Sequence, residues 1–148
     1  MKKIAIALFA TAAVAAVAQQ VKVEDQIKLR RAAYDMMGYG FGDLAAMAQE
    51  KKPFNKEEAE HDADLLVAAS TVPRRFFPEG SDKDTKAKPE IWQNRADFDS
   101  KMDHMIAEAG KLPAVVRSGD MAAFKKQVGE TGQACKACHD KYRAEMHH

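Results

Sequence analysis

The residues best suited to chemistry lie near the end of the chain, where Cys135, Cys138 and His139 form a C-x-x-C-H motif. This is the attachment sequence of c-type haem. Each thiol adds across one vinyl group, and cysteines three residues apart on a helix lie on one face, so both reach the same edge of the ring. The adjacent histidine can then bind the iron through an imidazole nitrogen. The motif predicts a covalently attached haem c, with His139 as the proximal iron ligand.

Three other interpretations of the two cysteines are weaker. A disulfide across so small a loop adds little chain-entropy stabilisation. Thioredoxin-like chemistry uses the same C-x-x-C spacing but belongs to a βαβ context, and strand signals are sparse here. A zinc site needs about four ligands, while His147 and His148 are terminal and lie outside the motif.

Four amphipathic segments, separated by glycine, proline and charged residues, are predicted to position this motif. In each of them apolar side chains recur at alternating spacings of three and four, the pattern of a helix packed along one seam. Residues of high helix propensity dominate the chain. We therefore predict an all-α fold, an antiparallel four-helix bundle with covalent haem. The segments cover residues 24–49, 56–72, 89–109 and 120 onward.

Capping signals set the ends of these segments. Asn55 and Asp120 are suitable N-caps for the second and fourth segments, and Pro89 is a favoured first-turn residue for the third. Gly110 is the expected C′ residue of the third segment. The longest connection covers residues 74–88.

The first residues have the pattern of an export signal. Lys2 and Lys3 precede an apolar, alanine-rich run that ends in a small-x-small cleavage pattern. A buried helix or a membrane anchor is the alternative, but the run is shorter than the ~20 apolar residues of a comfortable span. We predict a cleaved signal peptide at 1–18, a bundle domain at 19–148, and a soluble periplasmic protein.

The charge balance argues against nucleic acid or a membrane surface as a partner. The sequence has 23 basic and 22 acidic residues, and the two signs are interleaved along the chain. A nucleic-acid-binding protein would need a basic patch or stripe.

Residues 128–143, 26–38 and 89–92 resemble those of the cytochrome c′ family, and the similarity extends over essentially the whole mature chain. The motif is common to all c-type cytochromes, but its place on the last helix of a bundle narrows the family. The resemblance implies an up-down-up-down bundle with five-coordinate, high-spin haem. It also implies binding of nitric oxide and carbon monoxide, and a homodimer formed through the first two helices.

The resemblance also implies roles for three side chains. Tyr34 aligns with the residue that closes the distal face of the haem, and Phe77 with a second aromatic near the same pocket. Arg143 aligns with the basic residue beside the proximal histidine. From the residues alone, Tyr34 is equally explained by core packing with a hydrogen-bonded hydroxyl. Arg143 is equally explained as a solvated arginine at a helix C-terminus.

Arg30 interrupts the apolar seam of the first segment. A buried guanidinium needs anionic partners, and a haem propionate is the predicted one. A surface ion pair is the alternative.

The function depends on whether a sixth protein ligand binds the iron. Low-spin relatives use a first-helix methionine, and Tyr34 occupies that position here. Met37 is the nearest rival, whereas Met36 points to another face. The remaining candidates are expected to be core filler (Met102, Met105) or exposed histidines (His61, His104). We therefore expect a gas-binding protein and not an enzyme, since the sequence has no distal His and Arg arrangement; a periplasmic electron carrier is the alternative.

Overall fold

A computed structural model describes residues 21–145. The predicted signal peptide and the terminal histidines lie outside these residues. Within them the chain is helical, without a strand beyond an isolated bridge between Ala87 and Arg143. A 3-10 turn covers Pro73–Arg75. The helices are α1 Val23–Ala48, α2 Lys56–Ser70, α3 Glu90–Gln93, α4 Arg95–Ala109, α5 Leu112–Ser118 and α6 Met121–Tyr142.

Four long helices form the predicted antiparallel bundle. Helix α1 packs on α2, α2 on α4, α4 on α6, and α6 on α1, which closes the bundle around one core. The predicted fold class is therefore confirmed. None of the helices within residues 21–145 has the length and hydropathy to cross a bilayer.

The predicted N-caps are present. The side chain of Asn55 accepts a hydrogen bond from the Glu58 amide at 3.2 Å. Asp120 accepts from the amides of Ala122 and Ala123. Each cap satisfies amides that would otherwise lack a partner at the start of a helix, a contribution of about 1 kcal/mol.

The third predicted helix differs from the structure in its first turn. It is broken at Asn94, where φ is −125° and ψ is 47°, so α3 and α4 are separate helices. Helix α5 was not predicted. Pro113 lies in its first turn, and Gly119 ends it in the left-handed region with φ of 75°. Both Leu112 and Val116 of α5 are fully buried, so this short helix closes the core between α2 and α6.

One glycine of α1 has a packing role. A Cβ atom added at Gly40 would lie 2.9 Å from the carbonyl oxygen of Asp62, whereas one added at Gly38 or Gly42 would meet no atom within 4 Å. Helices α1 and α2 therefore approach most closely at Gly40, where a side chain is excluded.

Candidate haem site

Cys135 and Cys138 lie one turn apart on α6, where both free thiols are partly buried against the core. Burial raises the pKa of both thiols, and it raises that of Cys138 to about 11. Both sulfur atoms therefore remain protonated at neutral pH. The helix thus presents two neutral thiols on one face at the spacing that the motif requires.

His139 follows these thiols on α6 and lies at the surface. Its pKa is lowered, mainly because neighbouring groups partly desolvate the ring and also because Arg143 lies nearby; Asp140 opposes the shift. A lowered pKa favours the neutral imidazole, the form that binds a metal. Beside the ring lies a groove of about 850 Å³, which is also lined by Lys86 and Lys88.

Tyr34 projects from α1 toward the thiols. Its pKa is raised, first by burial and then by Cys138, while Arg30 and Arg143 oppose the shift. Its hydroxyl donates a hydrogen bond to the sulfur of Met102 at 3.8 Å. The structure therefore combines the two interpretations of Tyr34: its hydroxyl is bonded within the bundle, and its ring is near the thiols.

Arg30 is buried one turn before Tyr34 on α1. Its guanidinium donates to acceptors in the connection between α2 and α3, among them the Phe76 carbonyl at 3.1 Å and the Ser81 hydroxyl at 2.6 Å. Among the described residues it has no carboxylate within ion-pair distance. The surface ion pair considered from the sequence is therefore wrong, because the buried charge is satisfied by carbonyl and hydroxyl oxygens.

Phe77 lies in the same connection and is buried. Its ring makes an edge contact with Phe98 at 4.9 Å between centroids, and Phe98 in turn contacts Tyr142 at 5.3 Å. The indole of Trp92 donates to the Phe77 carbonyl at 3.2 Å. An aromatic row therefore joins the connection to the end of α6, three residues after His139.

Arg143 is exposed at the end of α6, and its amide donates to the His139 carbonyl at 3.0 Å. Its backbone pairs with Ala87 in the isolated bridge. Two flanking hydrogen bonds extend this pairing, from the Lys88 amide to the Tyr142 carbonyl at 3.0 Å and from the Ala144 amide to the Lys86 carbonyl at 2.8 Å. The proximal end of α6 is therefore fixed to the connection that carries Phe77.

The other candidate iron ligands lie away from the thiols or inside the core. The side chains of His61 and His104 are exposed at the surface, next to Asp62 and Glu108. Met37 and Met105 are buried in the core, as is Met102.

Comparison with known proteins agrees with this geometry. A family model for cytochrome c′ matches residues 25–143. The chain belongs to the cytochrome c′ family. The cytochrome c′ of Rubrivivax gelatinosus is 41% identical over 124 residues, which cover 82% of this chain and 96% of that relative.

Solved cytochrome c′ structures have the same fold. The R. gelatinosus structure has a TM-score of 0.80 and covers 85% of this chain and all of that one. The protein from Shewanella frigidimarina is 40% identical, with a TM-score of 0.82, and covers 86% of this chain and 100% of that chain. A nitric oxide complex of a variant from Alcaligenes xylosoxidans is 30% identical, with a TM-score of 0.78 over 86% and 100% of the two chains.

Members of the cytochrome c′ family carry covalent haem c, and so does this chain. The donor set fits that group. The sequence contains two cysteines, and both are free thiols on one face of α6 with the groove beside His139. Cys135 and Cys138 are therefore the thiols that can form the two thioether bonds, and His139 is predicted to hold the iron.

The sequence did not reveal three members of this site. Ser81 and Thr85 accept hydrogen bonds from Arg30, and Met102 accepts one from Tyr34. Hydroxyls in an irregular connection carry no periodic signal, and Met102 has the same spacing as ordinary core residues.

Proposed function

We propose that this chain is a periplasmic cytochrome c′ whose five-coordinate, high-spin iron binds small gases such as nitric oxide and carbon monoxide. The observation that carries the proposal is the identity of the α1 side chain near the thiols. It is Tyr34, with its hydroxyl bonded to Met102, and not a methionine or a histidine.

Tyr34 is a poor axial ligand for a physical reason. Tyrosine binds haem iron as the phenolate, the form used in catalase. Burial raises the pKa of Tyr34, which keeps the phenol neutral. The hydrogen bond to Met102 also engages the sulfur that would be the nearest thioether on α4.

Bound haem supplies an iron atom with a free axial position, where a diatomic gas can bind. The chain supplies the surroundings. The rings of Tyr34 and Phe77 crowd the distal side and exclude water, and His139 donates a neutral imidazole from the other side. Such an apolar pocket offers bound dioxygen little polar stabilisation, whereas nitric oxide binds ferrous iron strongly enough to tolerate it.

The proposed role is reversible binding, not turnover of a substrate. Electron transfer by the same haem is compatible with it. A six-coordinate, low-spin electron carrier is the alternative, with Met37 as the sixth ligand. Met37 is buried in the core, so ligation by its sulfur would require α1 to rotate.

The test is the optical and electron paramagnetic resonance spectrum of the purified haem protein, before and after addition of nitric oxide. We expect a high-spin ferric signal and a ferrous form that shifts on addition of the gas. The Tyr34→Met variant is the matched reference, because it places a thioether at the same position. A wild-type spectrum that is low-spin and unresponsive to nitric oxide would leave the electron carrier as the function.

We also propose that the protein is a homodimer. Large apolar side chains of α1 are exposed at the surface, with 44% of Leu29, 46% of Met36 and 64% of Tyr39 accessible. Their spacings of seven and three place them on one face of the helix. A contiguous apolar face of this kind marks an interaction surface.

A further inference from the structure

Arg30 is joined to one segment of the chain by every N–H group of its two terminal nitrogens. Nη1 donates to the Phe76 carbonyl at 3.1 Å and to the Ser81 hydroxyl at 2.6 Å. Nη2 donates to the Ser81 carbonyl and to the Thr85 hydroxyl, the latter at 3.2 Å. All of these acceptors lie in the connection between α2 and α3, within residues 76–85.

The same guanidinium also lies over the ring of Phe77, with 4.4 Å from its central carbon to the ring centroid. An arginine that is stacked on an aromatic face and hydrogen-bonded through its fork cannot be replaced by lysine without loss. Arg30 is only 3% exposed and Ser81 is fully buried, so these contacts are shielded from competing water.

The connection is held at its other end as well. The Thr85 hydroxyl, which accepts from Arg30, also accepts from the Ala87 amide at 3.1 Å. Ala87 then pairs with Arg143 at the end of α6. Because both ends are fixed, loss of the Arg30 contacts would free the part of the connection that carries Phe77 while its far end stays on α6.

We propose that Arg30 is a positioning residue that holds Phe77 and its connection against the side of α1 that carries Tyr34, and so sets how fast a gas reaches the iron. This inference rests on the proposed function. It assigns Arg30 a role through protein contacts, whereas the sequence had suggested a contact with a haem propionate.

A double-mutant cycle on the haem protein separates these roles. Arg30→Lys keeps the positive charge that a propionate would need but loses the fork. We expect it to raise the carbon monoxide association rate after flash photolysis by about tenfold. Phe77→Ala should raise the rate similarly, and the double variant should be no faster than Phe77→Ala alone, because both changes act through the same ring.

The neighbouring Arg31 provides the matched control. It is exposed and donates to the same connection only at the Asp84 carbonyl. Arg31→Lys should leave the association rate within about twofold of the wild type, as expected for a surface substitution. The unfolding temperature of each variant is measured in parallel, since a purely structural role would lower it without changing the rate.

Hydrogen exchange gives a second readout that does not depend on gas binding. Arg30→Lys should speed amide exchange in residues 76–87, where the Ser81 and Thr85 amides are bonded within the connection, while α2 is unaffected. Faster exchange in a protein that binds no gas would support the positioning role and contradict the proposed function. Unchanged exchange with an unchanged rate, or rate effects of Arg30→Lys and Phe77→Ala that simply add, would overturn the positioning role.

Discussion

The hydroxyl of Tyr34 on α1 donates a hydrogen bond to the sulfur of Met102 on α4, over 3.8 Å. This contact crosses the bundle between two helices that meet at the haem site. Because Met102 is only 2% exposed, its sulfur has no competing water. The tyrosine ring is therefore fixed at both ends, by its helix and by its hydroxyl.

This relationship predicts different outcomes for two substitutions of Tyr34. Tyr34→Phe keeps the ring and loses a weak bond to sulfur, so we expect a stability change below about 1 kcal/mol and an unchanged carbon monoxide association rate. Tyr34→Ala removes the ring, and the rate should rise by about tenfold, equal to roughly 1.4 kcal/mol of barrier. Flash photolysis measures both. Equal rates for the two variants would show that the ring does not limit access.

The bundle was predictable from the sequence because its helices carry long periodic seams and clear caps such as Asn55 and Asp120. The break at Asn94 and the short helix α5 were not, since each depends on tertiary packing. The covalent motif was predictable because its chemistry is local. The partners of Arg30 were not, because a buried arginine on α1 and the hydroxyl of Ser81 meet only after a connection about fifty residues away has folded against the helix.

Gly40 is predicted to tolerate no side chain. Gly40→Ala would place a methyl group 2.9 Å from the Asp62 carbonyl oxygen, and the resulting overpacking should cost about 1–3 kcal/mol. Gly38→Ala is the control on the same helix, because no atom lies within 4 Å of its added methyl. It should stabilise the protein by about 0.5–1 kcal/mol through the helix propensity of alanine. Denaturant unfolding measures both, and a Gly40→Ala variant as stable as Gly38→Ala would contradict the close helix approach.

Asp62 is predicted to make stability depend on pH. It is 1% exposed, and one of its carboxylate oxygens has no partner. Burial raises its pKa, with His61 opposing and Asp43 adding to the shift. Because the folded pKa lies above the unfolded value of about 3.9, the contribution favours folding below that pH and is lost as pH rises through the folded pKa.

Asp62→Asn should therefore stabilise the protein at pH 7 by about 1 kcal/mol and flatten the decline in stability as pH rises above about 4. The new amide can donate to the carboxylates of Asp43 and Glu58, which lie within 4.8 Å of the Asp62 oxygen. Asp64→Asn, at an exposed position of the same helix, controls for the loss of one negative charge. Denaturant unfolding at a series of pH values decides, and equal stabilities of Asp62→Asn and the wild type at pH 7 would contradict the unfavourable burial.

The exposed apolar face of α1 predicts how the oligomer responds to charge. Met36 is 46% exposed, between Leu29 and Tyr39 on the same face. Met36→Glu would bring two carboxylates together in a symmetric dimer, because a two-fold interface places the same patch on both partners. We expect the variant to sediment as a monomer at concentrations where the wild type sediments as a dimer. Ala122→Glu, which adds the same charge at an exposed position of α6, should leave the wild-type behaviour unchanged. If Met36→Glu and the wild type sediment alike, the dimer does not form through this face of α1.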